Sequence, residues 1–421
     1  MPGAGLKDRI GAVVLRWGSR REVDLSKVRF LPSRITMPLR RDGLDPLPAL
    51  RRLADETPVS RLRIPFGPTA WLVTSHEVAR TVLADKDTYS TDVSHLLGED
   101  AKREQGGLGF TDPPDHTRLR KFLTPEFTMR RLARLGPRID QIVSDRLDAM
   151  AEAGPTVDLV QEFAIPIPFE VICELIGLDD LQRKRLEGLG QARFDISAGG
   201  TGAFGAVSQS REVLADAVAQ QRIDPGEGLL GQIIREHGDA ISDHDLTGLL
   251  DGLFTGGFET TASMIALGTV LLLREQGQLA TVAAADDEAV HRTVEEMLRY
   301  LTVVQVAFPR FARVDHDLHG TQVSKGDVVM CSLLATDRDR ALVDGDPDLF
   351  DPTRPASQHD AFGYGFHRCV GAELARMELR AAFPALARRF PELALAVDAK
   401  DVEYRKLSLV FGVESLPVRL G

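Results

Sequence analysis

The sequence predicts a mainly α-helical fold with a smaller β-rich region. Two observations predict it. Apolar residues recur at helical spacing through most of the chain between residues 114 and 300. The β-branched and aromatic runs are few, short and placed outside that block. Aromatic residues are only 6% of the 421, so the core must be mainly Leu, Val, Ala and Ile.

Residues 1–40 are basic and irregular and read as an N-terminal extension ahead of one domain over 41–421. Leu6, Ile10, Val13, Val14 and Trp17 fall at helical spacing beside Lys7, Arg9 and Arg16. A short helix packed on its own domain, or a partly disordered segment, explains them more simply than a helix for a partner or membrane. Pro46 and Pro48 open a helix over 47–55. Runs 62–64 and 71–73 form a hairpin around Phe66-Gly67-Pro68. Residues 90–110, with Gly98, Gly106, Gly107 and Gly109, read as a long loop. Helical pattern follows to about residue 245, broken at Gly136-Pro137, Gly154-Pro155, Pro166, Pro168 and the glycine-rich 199–205.

One helix stands out. Ser242 is its N-cap, with Asp245 three residues on. Leu246, Leu249, Leu250, Leu253 and Phe254 then follow at helical spacing, and the pattern runs to Arg274, with Gly277 as its stop. That far exceeds the usual length of about 11–12 residues and predicts a helix crossing the molecule. A second helix covers 290–301. Strands are expected over 303–311 and 328–333, and an ordered loop over 337–360. A helix over 370–389 is disturbed by Pro384, and 406–418 closes the chain as a hairpin. There is no internal repeat, low-complexity tract or linker.

Composition narrows the function. With 43% hydrophobic and 27% charged residues, the chain is an ordinary globular protein, neither disordered nor collagenous. A net charge of −11 excludes a general nucleic-acid binder and suits a cytoplasmic enzyme. Against it, 118–138 is a basic island: Arg118, Arg120, Lys121, Arg130, Arg131, Arg134 and Arg138 face the single acid Glu126. Arg376 and Arg380 add to it on the helix after Cys369. Three cysteines, Cys173, Cys331 and Cys369, form neither a disulfide framework nor a zinc spacing. A single thiolate can still ligate a haem iron. The apolar run 260–273 is shorter than the roughly 20 residues of a membrane span. The N-terminal apolar run, 10–15, ends at Arg16 and does not read as a signal peptide.

The sharpest motif is Phe362-Gly363-Tyr364-Gly365-Phe366-His367-Arg368-Cys369-Val370-Gly371. It matches F-G-x-G-x-H-x-C-x-G at every fixed position, a coincidence on the order of one in a million per chain. Its glycines let backbone approach something flat and bulky. Its cysteine opens a helix, where peptide N–H groups favour thiolate. This segment resembles the haem-binding loop of the cytochrome P-450 superfamily. The likeness runs from about Leu44 to the C-terminus.

The resemblance implies the P-450 fold and heme b, with Cys369 as the metal ligand and Phe362 and Gly371 cradling the cofactor. Thiolate ligation favours O–O cleavage. Glu296-Met297-Leu298-Arg299 resembles the E-x-x-R helix, and Arg354 completes a structural Glu–Arg–Arg network. Gly256-Gly257-Phe258-Glu259-Thr260-Thr261 resembles the oxygen-activation motif, where the helix is locally opened. Glu259 and Thr260 are its acid–alcohol pair and the implied catalytic residues. Asp112-Pro113-Pro114-Asp115-His116-Thr117-Arg118-Leu119-Arg120 resembles the propionate segment. His116 and Arg120, with Arg310 and His367, would face the propionates.

The implied activity is a haem-thiolate monooxygenase. It would hydroxylate or epoxidise a hydrophobic small molecule, expected to be a natural-product intermediate, free or carrier-bound. Electrons would come from NAD(P)H through a ferredoxin or flavodoxin partner. The pocket would draw on 90–110, 190–210, Leu253, 303–307 and Val410-Phe411. Three alternatives remain open at this point: a peroxide-driven peroxygenase, a haem-thiolate isomerase, and a non-catalytic haem sensor or carrier. Glu259 and Thr260 weigh against all three.

Overall fold

The computed structural model describes residues 36–62, 69–93, 107–187, 201–275 and 277–421, without the side chains of 201–208. The expected helix at residues 6–17, the turn Phe66-Gly67-Pro68, most of the 90–110 loop and most of 190–210 lie outside these residues.

Helices α1 (Pro48–Glu56) and α2 (His76–Ala84) flank a hairpin of β1 (Val59–Leu62) and β2 (Ala70–Val73), and β3 (Tyr89–Ser90) follows. Helix α3 (Asp115–Leu123) is followed by α4 (Gly136–Ala153), β4 (Thr156–Asp158) and α5 (Pro166–Ile176). Gly136-Pro137 and Pro166 open helices rather than merely ending them. Proline in a first turn forfeits only an N–H that has no partner there. Helix α6 (Thr201–Ile223) begins inside the glycine-rich stretch expected to be a break. Val213, Leu214, Ala217 and Val218 bury its apolar side, and that packing outweighs the cost of Gly202 and Gly205. Helix α7 spans Leu229–His237.

Helix α8 (Asp243–Arg274) is the 32-residue element the pattern predicts. Ser242 caps it by accepting from the N–H of Asp245. Its most apolar stretch has a mean hydropathy of 1.4 and is 78% buried inside the protein, so its length serves the core. Among the described residues it is the only helix long and apolar enough to cross a membrane. Gly268 brings it close to the helix Ala372–Arg389: a Cβ there would lie 2.4 Å from Cζ of Phe383.

Helices α9 (Gln278–Ala284) and α10 (Asp287–Leu301) follow, then β5 (Arg310–Ala312) and β6 (Val328–Cys331). The sheet order is β1-β2-β6-β5-β3, with β6 parallel to β2 and the other pairs antiparallel. The strand expected over 303–311 is therefore only its last residues. Upstream, Val304 makes an isolated bridge to Val410.

Helix α11 (Ala372–Arg389) keeps Pro384 within its last turns, and β7 (Ala394–Leu395) follows. The final hairpin differs from its expected bounds. Its arms are β8 (Glu403–Tyr404) and β9 (Val413–Ser415), while β10 (Pro417–Arg419) pairs with β4 and β7. Long-range pairing, invisible to local pattern, decides that division.

Candidate functional site

The cysteine loop is built by its glycines. Gly363 and Gly365 take φ of +68° and +73°, and a Cβ on Gly365 would lie 2.5 Å from the carbonyl oxygen of Leu83. Only glycine fits that close approach. The N–H of Cys369 donates to the carbonyl of Phe362 at 2.9 Å and that of Arg368 to Gly365 at 3.1 Å, folding the loop on itself. Cys369 thus stands just before α11. Its residue keeps accessible surface, yet the sulfur sits deep enough that lost hydration raises the thiol pKa. The N–H of Gly371 and the charge of Arg120 pull it back down. Phe362 carries the guanidinium of Arg376 4.7 Å from its ring centre.

Beside the loop, the structure brings together His116, Arg120, Arg310 and His367 from three separate segments. The rings of His116 and His367 are 4.3 Å apart, and His116 meets Phe366 edge-on. His116 and Arg310 are each 2% exposed, and His116 Nε2 and Arg310 Nε have no hydrogen-bond partner. Burial and the nearby arginines push His116 down to about 4 and His367 to about 2, so both rings are neutral at pH 7. Arg120 reaches the cysteine loop itself. It donates to the carbonyls of Phe366 at 3.1 Å and Arg368 at 2.7 Å, and so braces the cysteine loop.

Sequence reasoning missed what holds His367. Asp112 accepts from the N–H and Oγ1 of Thr91 and from Arg313. Thr91 Oγ1 lies 3.3 Å from His367 Nε2. An Asp in the same motif as His116 was the only signal available.

In α8, Gly252 and Gly256 are exposed although most of the helix is buried, and a Cβ on either would meet nothing within 4 Å. With partly exposed Thr260 they form an i, i+4, i+8 stripe facing open space. Thr260 Oγ1 donates back to the carbonyl of Gly256 at 2.6 Å. The expected local opening is absent, and α8 stays helical throughout. Glu259 is 2% exposed and bound by Arg405 Nη1 at 2.5 Å. Arg405 was also missed, because its partner lies 146 positions away.

Glu296 holds Arg299 through both oxygens, at 2.7 and 2.8 Å, and Arg354 at 3.5 Å, which is the expected three-residue network. Next to it, Glu295 binds Arg376 at 2.6 and 2.9 Å and His359 at 3.2 Å. This corrects the basic island. Arg376 is 8% exposed and neutralised. Arg118 pairs with Asp245, Arg131 with Glu126 and with Glu236 of α7, and Arg138 with Glu174. Lys121, Arg130 and Arg134 remain as exposed cations with no ion pair among the described residues.

The cytochrome P450 family profile matches residues 41–186 and 210–416. The chain belongs to the cytochrome P450 family. Cytochrome P450 165B3 of Amycolatopsis orientalis is 38% identical over 392 residues, covering 90% of this chain and 97% of that protein. The 6-deoxyerythronolide B hydroxylase of Saccharopolyspora erythraea is 37% identical, covering 88% and 94%. The solved structure of OxyC, a cytochrome P450 implicated in oxidative C–C coupling during vancomycin biosynthesis, superposes with a TM-score of 0.82. It is 36% identical, with 92% of this chain and 97% of that one covered. This cytochrome P450 is therefore a monooxygenase of the same fold as these relatives, and the family implies haem. The residues present fit that group. Two buried side-chain nitrogens, His116 Nε2 and Arg310 Nε, lack partners beside the cysteine loop, and the middle of α8 turns an open glycine face to space.

Proposed function

We propose that this cytochrome P450 oxidises a bulky hydrophobic intermediate of secondary metabolism, in the cytoplasm, with electrons delivered from NAD(P)H by a ferredoxin or flavodoxin. The observation that carries the substrate class is the Gly252–Gly256–Thr260 stripe, which leaves room where side chains would otherwise fill the core. Phe308 is 45% exposed and meets Phe110 edge-on at 5.0 Å, adding an apolar wall.

Bound haem supplies the one-electron and dioxygen chemistry. The chain supplies its setting. Cys369 would hold its iron through the sulfur, with the N–H of Gly371 favouring the thiolate. Arg310 Nε–H and the unpartnered Nε2 of His116 would face the propionates, with His367 beside them. Thr260 Oγ1 holds a proton on the open face of α8, and the buried carboxylate of Glu259 is the acid one residue away. The exposed Lys121, Arg130 and Arg134 receive an acidic redox partner.

Hydroxylation or epoxidation of an aliphatic substrate is the first reading. Oxidative coupling of aromatic rings is a second, favoured by the likeness to OxyC and by the aromatic wall of Phe308 and Phe110. A screen of macrolactones and phenolic peptides for a substrate-induced Soret shift tests both. Binding must be followed by product under ferredoxin, reductase and NADPH. Soret shifts with no oxygen use would overturn the enzyme reading of this site.

A further inference from the structure

The cysteine loop is fastened to α2 at three points. At the N-terminus of α2, the N–H of His76 is capped by Asp339 at 2.9 Å, from the segment that leads to the loop. Midway, Arg80 Nε donates to Asp360 Oδ1 at 2.9 Å, and His76 Nε2 lies 3.4 Å from Asp360 Oδ2. Arg80 also holds Gln358 through its side-chain oxygen at 3.1 Å, and its guanidinium covers the ring of Tyr364 at 4.6 Å. At the C-terminal end, Gly365 packs against Leu83 and Ala84 with no space for a Cβ.

Asp360 stands at the centre of this arrangement. It is 1% exposed, two residues ahead of Phe362. Its N–H donates to buried Asp337 at 2.6 Å, and its carbonyl accepts from the N–H of Gly363 at 2.7 Å. Its N–H, its carbonyl and Oδ1 are each tied to a different part of the loop or its support, and Oδ2 faces His76 Nε2 at 3.4 Å without a hydrogen bond. A carboxylate at such depth is costly unless paired, and removing a partner leaves a stranded charge. Nothing in the propionate cluster or in α8 needs this residue.

We propose that Asp360 is a positioning residue for Cys369: through Arg80 it locks the cysteine loop onto α2, which serves as its mount. The lock acts on the loop's own geometry, so its effect is local, and it rests on no assumption about substrate.

The test compares Asp360→Asn, Arg80→Met and the double variant in the full-length holoenzyme. Hydrogen exchange is followed by mass spectrometry over 360–371. The loss of the thiolate-type Soret band of the reduced carbon monoxide adduct is timed in mild urea. Each single variant is expected to speed both by about tenfold, the equivalent of about 1.4 kcal/mol of coupling, while exchange in α4 stays unchanged. The double variant should be no worse than the more affected single one. Because Arg80 is only partly buried, Arg80→Met keeps the test alive if Asp360→Asn fails to fold. Unchanged exchange and band loss in Arg80→Met, or effects that simply add in the double variant, would overturn the proposal.

Discussion

Arg405 reaches from the end of the β8 arm to Glu259 in the middle of α8, Nη1 to Oε1 at 2.5 Å, joining the C-terminal hairpin to the helix. The hairpin comes this close because Gly412 has no side chain: a Cβ there would lie 2.8 Å from Ser263 Oγ. The Arg405 N–H donates to the carbonyl of Gly412 at 2.9 Å, which fixes the arginine's origin. Arg405→Met should therefore destabilise the protein by about 3–5 kcal/mol, the usual cost of leaving one buried charge alone. Urea unfolding of Arg405→Met, Glu259→Gln and the double variant checks this. The double variant should recover part of the loss.

Cys369→Ser should abolish the red-shifted Soret band of the reduced carbon monoxide adduct, because serine offers no thiolate. Difference spectra of the purified variant read this directly. Survival of the band would remove Cys369 as the ligand.

Thr260→Ala removes the hydroxyl bonded to the Gly256 carbonyl. Substrate binding and NAD(P)H use should persist, with electrons diverted to hydrogen peroxide. Positioned proton transfer contributes about 10²–10⁴-fold, so product per NAD(P)H should fall sharply. Peroxide and product are measured together, and unchanged coupling would count against the role.

Asp337 is fully enclosed, and burial pushes its carboxyl up from 3.8 to about 7. The folded protein then binds a proton that the unfolded chain releases between those values. Stability from this group is complete below about pH 4 and is lost as pH rises toward 7. Asp337→Asn should remove that loss, so the variant gains on the wild type across the same window. Thr302 Oγ1 also donates to the Arg299 carbonyl, so it keeps a partner in the variant. Melting temperatures of both proteins at pH 4 to 8 decide the sign.

Charge reversal at exposed Arg130 and Arg134 should slow the first electron transfer from an acidic ferredoxin by about tenfold or more at low salt. It should also flatten the salt dependence and leave substrate affinity alone. Stopped-flow reduction across ionic strength tests it. An unchanged rate and salt slope would place the docking surface elsewhere.

The sequence by itself settled the long helix and the cysteine loop. Ser242, the apolar spacing of α8 and the glycines at 363 and 365 are local instructions, read from neighbouring residues. It also placed Glu296 with Arg299, three apart on one helix. What it could not decide was which charges meet. Arg376 looked like surface charge and is buried against Glu295, 81 positions away. Arg120 braces loop carbonyls, and Glu259 is bound by Arg405. Nor could it divide the final strands, since β10 pairs with β4 and β7. A charge or a strand edge is satisfied by whatever the folded chain brings within about 3 Å, and hydrogen bonds and ion pairs at that range carry no sequence period. The helices were legible because their partners are three and four residues away. The electrostatics of the site were decided only when distant segments closed around it.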